Sequence, residues 1–221
     1  MKNLTLIIPA KDESESLPNV ISELGDLTCL RKVVLKEDDI FTVDSIKNLN
    51  VEIIYQNEYG FGDALITGIN SVKTEYFCIF NADGSFDPSE IPSFIEMLEN
   101  EKNDFVFGSR YEKNSGSEDD TIVTYVGNKI FTTLGRLFFN LPITDILYTF
   151  VLGKTEKAKK LNLKQKDFSF CVELPIKAKR NNMKLGSIPC YERKRIAGKK
   201  KVNAFKDGFL ILTYMIKLYF K

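Results

Sequence analysis

The chain has 221 residues, of which 43% are hydrophobic and 28% are charged, and its formal net charge is +1. This length is enough for one hydrophobic core and short for two, so we expect a single domain over residues 1–221. Histidine is absent, which excludes histidine acid–base catalysis and histidine metal ligands. No run reaches the roughly 18 apolar residues of a membrane-spanning helix. Four scattered cysteines indicate buried thiols in a reducing cytoplasm.

The small net charge hides a strong asymmetry along the chain. Residues 1–120 carry 10 Lys/Arg against 24 Asp/Glu, whereas residues 121–221 carry 21 against 6. An acidic half and a basic half within one domain indicate either two ligand environments or two solvated faces that attract each other.

The first half alternates short apolar runs with helical patterns, which is typical of buried strands joined by helices. The predicted strands are residues 4–9, 32–35, 51–55, 76–80 and 104–110. The predicted helices are Ser14 to Leu27, a helix entered from a loop at residues 60–68, and Ser89 to Leu98. This order predicts an α/β fold with a mostly parallel central sheet flanked by helices.

The second half is richer in helices. Residues 113–120 are polar and bear Gly and Ser, which indicates a flexible loop or lid. Helices are predicted at 125–139 and 168–181, a late strand at 187–193 and a basic loop at 198–201. The tail at about 205–221 is amphipathic and aromatic, which is typical of a helix in a membrane interface, of a packed helix or of a dimer contact.

The run from Tyr76 to Pro88 carries the strongest single signal. An apolar stretch stops on oxygen-bearing side chains at Asn81, Asp83, Ser85 and Asp87. A buried parallel strand delivers such groups to a cleft at its carboxyl end, where they can surround a hard cation. The alternative is structural, with Asp83-Gly84 as a turn and Asp87-Pro88 as a helix start.

Other motifs stand in a fixed order around this run. They are Leu6 to Glu13, Gly60-Phe61-Gly62-Asp63-Ala64, Asn81-Ala82-Asp83-Gly84, Gly108-Ser109-Arg110-Tyr111, Glu173 within residues 168–174, Arg193-x-Arg195 and Gly198-Lys199-Lys200-Lys201. In order and spacing they resemble the family 2 glycosyltransferases with the GT-A fold. The resemblance is greatest to the dolichol-phosphate mannose synthase and polyprenyl-phosphate glycosyltransferase branch, and it runs from about Leu4 to Asp207.

The resemblance implies an inverting glycosyltransferase that uses a GDP- or UDP-linked sugar together with Mg²⁺ or Mn²⁺. Asp83, with Asn81 and Ser85, would hold the metal, which bridges the donor diphosphate. The implied donor-binding residues are Pro9, Ala10, Lys11, Glu13, Glu37, Gly62, Asn81, Ala82 and Asp83, and the implied catalytic residues are Asp83, Asp145 and Arg110. The alternatives are a helix-start acid for Glu13 and a surface ion pair for Arg110.

The implied acceptor is a polyprenyl or dolichyl phosphate. Because it is already anionic, it needs a cationic cradle rather than a general base. The expected cradle consists of Arg110, Arg193, Arg195, Lys199, Lys200 and Lys201, and the tail would meet the cytoplasmic face of a membrane. The alternatives are a saccharide hydroxyl in cell-surface glycan assembly, with Asp145 as the base, and a non-catalytic nucleotide-sugar binder. No nucleic-acid motif is present, so we expect no nucleic-acid partner.

Three positions depart from the family pattern. Glu37-Asp38-Asp39-Ile40 stands where relatives commonly have Asp-Asp-Gly-Ser, and Asn81 replaces the first acid of Asp-x-Asp. Asp145 is present where relatives often have Asp-x-x-Ser-Gly-Phe-Arg, but the final arginine is Val151. These changes predict a differently shaped base-binding loop, a weaker metal site and a different acceptor or sugar.

Overall fold

The computed structural model describes residues 3–25, 27–198 and 200–220, and nine strands and eight α-helices lie within these ranges. The strands are β1 (Leu4–Pro9), β2 (Leu30–Leu35), β3 (Glu52–Tyr55), β4 (Tyr76–Ile79), β5 (Phe105–Ser109), β6 (Gly116–Ser117), β7 (Val151–Lys154), β8 (Leu185–Pro189) and β9 (Tyr191–Glu192). The helices are α1 (Leu17–Glu23), α2 (Ile40–Ile46), α3 (Phe61–Ser71), α4 (Ile91–Asn100), α5 (Ile122–Phe139), α6 (Thr155–Lys160), α7 (Phe170–Arg180) and α8 (Ala204–Tyr219).

Seven of the strands in the described part of the chain form one sheet in the order β3-β2-β1-β4-β7-β5-β8. Every neighbouring pair is parallel except those that β7 makes with β4 and β5. The predicted α/β fold with a mostly parallel central sheet is therefore confirmed. Strands β6 and β9 pair separately, beside the main sheet.

Both faces of the sheet are covered, because side chains along a strand alternate between its two sides. On β1, Ile7 points into a core shared with α3, α7 and α8. Its neighbours Leu6 and Ile8 point into a second core shared with α1 and α4. Because apolar side chains fill both faces, polar side chains gather at the strand ends between these two layers.

The antiparallel strand β7 is absent from the sequence prediction. It has four residues, and its partners β4 and β5 lie far away along the chain. Gly153 allows the close pairing, since a Cβ there would lie 2.3 Å from Cδ1 of Phe105. Helix α2 was also not predicted, and it begins where the Asp39 side chain accepts a hydrogen bond from the backbone of Thr42.

Residues 113–120 differ from the expected flexible loop. Gly116 and Ser117 form β6 and pair with Tyr191 and Glu192 of β9. An ion pair of 2.8 Å between Asp119 and Arg195 also holds this segment in place. The predicted late strand at 187–193 is likewise two strands, β8 and β9, which belong to different sheets.

The two glycines that precede and open α3 allow a close backbone crossing. A Cβ on Gly60 would lie 2.0 Å from the carbonyl oxygen of Lys166, and one on Gly62 would lie 2.2 Å from that of Gln165. The crossing segment is held by the buried Glu173, whose Oε2 accepts hydrogen bonds from the backbone of Lys164 and Gln165. Gly60, Gly62 and Glu173 therefore have a structural role in this backbone crossing.

Within the ranges that the structure covers, no helix combines the length and the apolar character needed to cross a bilayer.

We expect Gly62→Ala to lower the free energy of unfolding by about 1–3 kcal/mol or more, because the methyl group overlaps a backbone oxygen. The matched control is Gly127→Ala on α5, where a Cβ would meet nothing within 4 Å. That change should be neutral or stabilise the helix by up to about 1 kcal/mol. Thermal unfolding of both variants measures the difference, and equal melting temperatures would contradict the packing role of Gly62.

Candidate active site

A cavity of about 910 Å³ opens where the parallel strands end. Residues that follow β1 to β5 line one side, and residues of α5 and α8 line the other. The carboxyl edge of a parallel sheet is the usual place for a ligand, and this volume suits a small molecule. The predicted site residues that line the cavity are Pro9, Ala10, Lys11, Glu13, Asn81, Ala82, Asp83, Arg110, Arg195 and Lys201.

The structure places the other predicted residues outside the cavity lining. They are Glu37, Gly62, Ser85, Asp145 and Arg193. Glu37 is exposed, and the acids that follow it, Asp38 and Asp39, take the cavity positions. Donor binding by Glu37 stays a prediction that its position does not favour. Side chains in an irregular loop do not alternate as they do along a strand, so the sequence does not determine which of these acids faces the cavity.

One end of the cavity has an aromatic and acidic wall. The Tyr59 hydroxyl donates to Oδ2 of Asp38 at 2.6 Å, and Nζ of Lys36 lies 4.6 Å from the centre of the Tyr59 ring. Asp39 caps α2 and accepts a hydrogen bond of 2.8 Å from the backbone of Asp12. The flat ring and the adjacent carboxylate can meet a nucleobase and a ribose hydroxyl.

Glu13 lies next to this wall and is buried. Its Oε2 accepts a hydrogen bond of 2.6 Å from the Ser16 hydroxyl, and its Oε1 lies 3.8 Å from Nζ of Lys201. Burial raises the pKa of the Glu13 carboxyl, while Ser16 and Lys201 oppose that rise. Glu13 therefore lines the cavity with a carboxylate that Ser16 holds in place at the start of α1.

Asp83 lies in a tight turn directly after β4. Its Oδ1 accepts hydrogen bonds from the backbone of Ser85 at 3.0 Å and from the Ser85 hydroxyl at 2.7 Å. Its Oδ2 lies 3.6 Å from Nη1 of Arg195. Asn81 donates to the Ser85 hydroxyl at 3.3 Å, and Asp87 caps the 3₁₀ helix Pro88–Glu90. Ser85 and Asp87 therefore hold the loop, and Asp83 and Asn81 line the cavity.

The residues around Asp83 fit a divalent cation that takes most of its ligands from a substrate. Among the described residues, no three His, Cys, Asp or Glu side chains are grouped so that they could hold a metal ion. Mg²⁺ is typically held by one or two carboxylates together with substrate phosphates, and does not need a complete protein cage. Asp83 and the Asn81 amide supply hard oxygen donors of that kind.

Arg110, which lines the cavity, forms a buried clamp with Asp145, which lies outside the cavity lining. Nε and Nη2 of Arg110 donate to the two carboxylate oxygens of Asp145 at 2.7 and 3.0 Å. Nη1 donates to Oε2 of Glu192 at 3.1 Å. Burial alone would lower the pKa of Arg110, but Asp145 and Glu192 outweigh it and the pKa lies well above its ordinary value. Asp145 is fully buried, and both of its carboxylate oxygens accept hydrogen bonds from Arg110.

The clamp fixes two other carboxylates in the cavity wall, Glu192 and Asp120. Nη1 of Arg110 lies 3.8 Å from Oδ1 of Asp120, whose other oxygen accepts a hydrogen bond of 2.6 Å from Tyr111. Asn128 on α5 donates to the same tyrosine hydroxyl at 2.8 Å. Sequence reasoning missed Asp120, Asn128 and Glu192, because only the fold brings them beside Arg110.

The basic residues divide between the cavity and the fold. Arg193 donates to Glu23 at 2.9 Å and to the carbonyl of Phe86 at 2.6 Å, and so fastens the turn after β4 to α1. Arg195, Lys200 and Lys201 line the cavity. Lys199, which was also expected in the cradle, lies outside the described residues.

The far end of the cavity is apolar. Val123, Val126, Ile130 and Phe131 of α5 line it together with Phe205 and Ile211 of α8. The sequence contained a signal for this wall, since these α5 residues recur at helical spacing beside the small residue Gly127. The cavity lining therefore combines acidic, cationic and apolar side chains.

The chain has sequence relatives among known proteins. Residues 5–161 match the family model described as Glycosyl transferase family 2. The chain is 24% identical over 214 residues to UDP-N-acetylglucosamine–dolichyl-phosphate N-acetylglucosaminyltransferase of Methanococcus voltae, covering 85% of this chain and 84% of that protein. It is 20% identical to Low-salt glycan biosynthesis hexosyltransferase Agl6 of Haloferax volcanii, covering 96% of this chain and 53% of that one.

The fold is similar to glucosyl-3-phosphoglycerate synthase from Mycobacterium tuberculosis in complex with Mn²⁺, UDP and glucosyl-3-phosphoglycerate. The TM-score is 0.74 at 12% identity, covering 98% of this chain and 79% of the other. The same synthase with Mg²⁺ and UDP gives a TM-score of 0.72. This likeness confirms the GT-A fold that the motif order implied.

We expect Asp145→Ala to lower the free energy of unfolding by about 3–5 kcal/mol, because it leaves a buried guanidinium without its bidentate partner. Asp38→Asn, a change at a cavity carboxylate near the surface, is the control and should cost less than about 1 kcal/mol. Urea denaturation measures both. An Asp145→Ala protein of wild-type stability that has lost all transfer would instead assign Asp145 to the chemistry.

Proposed function

Because the chain belongs to glycosyltransferase family 2, we propose that it transfers a sugar from a nucleotide-diphosphate donor to a polyprenyl phosphate, with inversion at the anomeric carbon. One observation carries this proposal: a single cavity is lined by acids that suit a donor, by a cluster of cations and by apolar side chains of α5 and α8. A donor phosphate group and a lipid phosphate can meet at these cations, while the hydrocarbon chain lies against α5 and α8.

In the donor half, Pro9 and Ala10 face the base and ribose through their backbone, and Tyr59 and Asp38 flank the base. Lys11 and Glu13 lie on the path toward the phosphates. The name of the Methanococcus relative includes UDP-N-acetylglucosamine, and UDP is present in the solved synthase. Both support a UDP-linked sugar over a GDP-linked one.

Asp83 and Asn81 would hold Mg²⁺ or Mn²⁺, and the ion would neutralise the charge that develops on the departing diphosphate. Ser85 has a positioning role, because its backbone and hydroxyl fix Oδ1 of Asp83 and leave Oδ2 toward the cavity. Arg195 lies beside Oδ2 and can turn to a phosphate oxygen when the donor arrives.

The proposed reaction is a single displacement. A phosphate oxygen of the acceptor attacks C1 of the sugar, and the C1–O bond to the diphosphate breaks with its electron pair going to the diphosphate oxygen. The nucleophile is an anion near neutral pH, so no proton has to be removed. Arg195, Lys200 and Lys201 would hold the acceptor phosphate in the cavity.

The state of the cavity carboxylates favours a phosphate acceptor over a hydroxyl acceptor. Asp145 is sealed behind Arg110, and Asp120 and Glu192 are bound to the same guanidinium. Burial would raise the pKa of Asp119, but Arg195 and Lys200 outweigh it and lower that pKa. A saccharide hydroxyl needs a free base at the attacking oxygen, and these paired carboxylates suit that role poorly.

Asp83→Ala should lower nucleotide release with Mn²⁺ by about 100–1000-fold, the usual cost of losing one group that stabilises transition-state charge. The control Asp87→Ser preserves the cap of the 3₁₀ helix and lies outside the cavity lining, so it should remain within about threefold of wild type. Calorimetry of donor binding with and without Mn²⁺ adds a readout independent of turnover. Full activity of Asp83→Ala would contradict the assignment of Asp83 as a metal ligand.

The acceptor is tested by incubating wild-type protein with UDP- and GDP-sugars, Mn²⁺ and either a short-chain polyprenyl phosphate, a saccharide or no acceptor. We expect nucleotide release to rise at least about tenfold only with the polyprenyl phosphate. Release that depends on the saccharide would support glycan assembly instead. Donor binding without transfer to any acceptor would support a nucleotide-sugar binder.

A further inference from the structure

Helices α5 and α8 lie side by side and run in the same direction. A Cβ on Gly208, near the start of α8, would lie 3.9 Å from the ring of Phe131 in the middle of α5. At the ends of both helices, the rings of Phe138 and Tyr219 meet edge to face at 5.4 Å. The two helices therefore present one continuous outer surface.

Helix α8 is apolar on two faces. Its inner face, with Ile211, Met215 and Leu218, is buried in the core. Its outer face carries a stripe spaced by three or four residues, and the exposed fractions are 82% for Phe205, 67% for Phe209, 38% for Leu212, 50% for Ile216 and 81% for Phe220. In the described part of the chain, these five side chains are exposed to solvent.

Helix α5 repeats the arrangement. Asn128, Thr132 and Gly135 face inward. The outward stripe recurs at intervals of four and seven residues and consists of Ile122, Val126, Ile130 and Leu137, which are 85%, 48%, 53% and 73% exposed. On a helical wheel this stripe lies between the side of α5 that contacts α8 and the side that carries Lys129 and Arg136. We call the two stripes together the α5–α8 strip.

The charges along the strip have one sign. The exposed Arg136 and the half-buried Lys129, whose Nζ lies 4.3 Å from the centre of the Tyr111 ring, are on the side of α5 away from α8. The exposed Lys206 and Lys217 are on the side of α8 away from α5. None of the four forms an ion pair with another described residue. Helix α5 has no acid, and the acid of α8, Asp207, is buried and bonded to the backbone of Asn203 at 2.7 Å.

We propose that the α5–α8 strip docks this protein on an anionic lipid bilayer. Apolar side chains bordered on both edges by cations match a layer of hydrocarbon under negative headgroups. A second copy of this chain is the less suitable partner, since face-to-face pairing would bring like-charged rows together. The docking involves α5 as much as the tail, which the sequence pattern alone did not indicate.

Docking also gives the cavity an orientation. Val126 and Ile130 of α5 and Phe205 of α8 belong both to the strip and to the cavity lining. The apolar end of the cavity therefore opens at the surface that meets the lipid. A lipid phosphate can therefore enter the cavity without exposing its hydrocarbon chain to water. This step rests on the proposed lipid-phosphate acceptor, whereas the docking surface itself does not.

The docking is tested by cosedimentation with phosphatidylcholine vesicles that contain or lack phosphatidylglycerol. We expect wild-type protein to bind the anionic vesicles at least about tenfold more tightly, with weakening in high salt. The double variant Leu137→Asp/Phe209→Asp, at strip residues outside the cavity lining, should lose at least about tenfold. The control is Phe41→Asp, because Phe41 is 83% exposed and lies on α2, on the other face of the sheet.

Transfer assays separate this proposal from the proposed function. The double variant should keep transfer to a short-chain polyprenyl phosphate in solution and lose at least about tenfold with a long-chain acceptor in vesicles. Absence of wild-type binding to anionic vesicles would overturn the docking proposal. Binding of the double variant as tight as that of the wild type would also overturn it. A dimer that the double variant abolishes, without vesicle binding, would assign the strip to a second copy. Vesicle binding without transfer to any acceptor would support the docking proposal and contradict the proposed transfer to a lipid phosphate.

Discussion

The site depends on the buried ion pair between Arg110 and Asp145. A guanidinium withdrawn from water is tolerated only when its donors are paired, so the position of Arg110 fixes the carboxylates around it. These carboxylates come from the segment before β7, from β9 and from the segment before α5. Arg110 is a cation of the acidic half, whereas Asp145 and Glu192 are two of the six acids of the basic half. These exceptions to the charge asymmetry pair with one another.

The other cations of the basic half and acids of the acidic half face each other across the cavity. Arg195, Lys200 and Lys201 come from the basic half, and Asp83, Asp119 and Glu13 come from the acidic half. These contacts are long or partly exposed, unlike the clamp, and their cations can exchange partners at low cost. An incoming diphosphate or lipid phosphate offers such a partner. The two halves therefore attract each other across the cavity, and under the proposed function they also supply two ligand environments.

The motif residues divided into two kinds once the fold was known. Asp83, Asn81, Glu13 and Arg195 reach the cavity, because they follow strand ends or cross over them. Gly62, Glu173 and Arg193 shape the chain behind it, through a close backbone crossing, a carboxylate that holds that crossing, and a fastened turn. A motif marks a constrained position, and the constraint can be steric as readily as chemical. Sequence alone does not separate the two.

Local apolar patterns and turn residues were enough to predict the parallel strands β1 to β5, the edge at which they end and the oxygen-rich loop at Asn81–Asp83. They did not predict that β7 completes the sheet, that Asp145 is buried against Arg110, or that α5 joins α8 in an apolar wall. Each of these depends on contacts between residues far apart in the chain, such as Arg110 with Glu192 or Phe138 with Tyr219. A local pattern records which side chains need burial or a partner, and only the folded chain decides which partner they find.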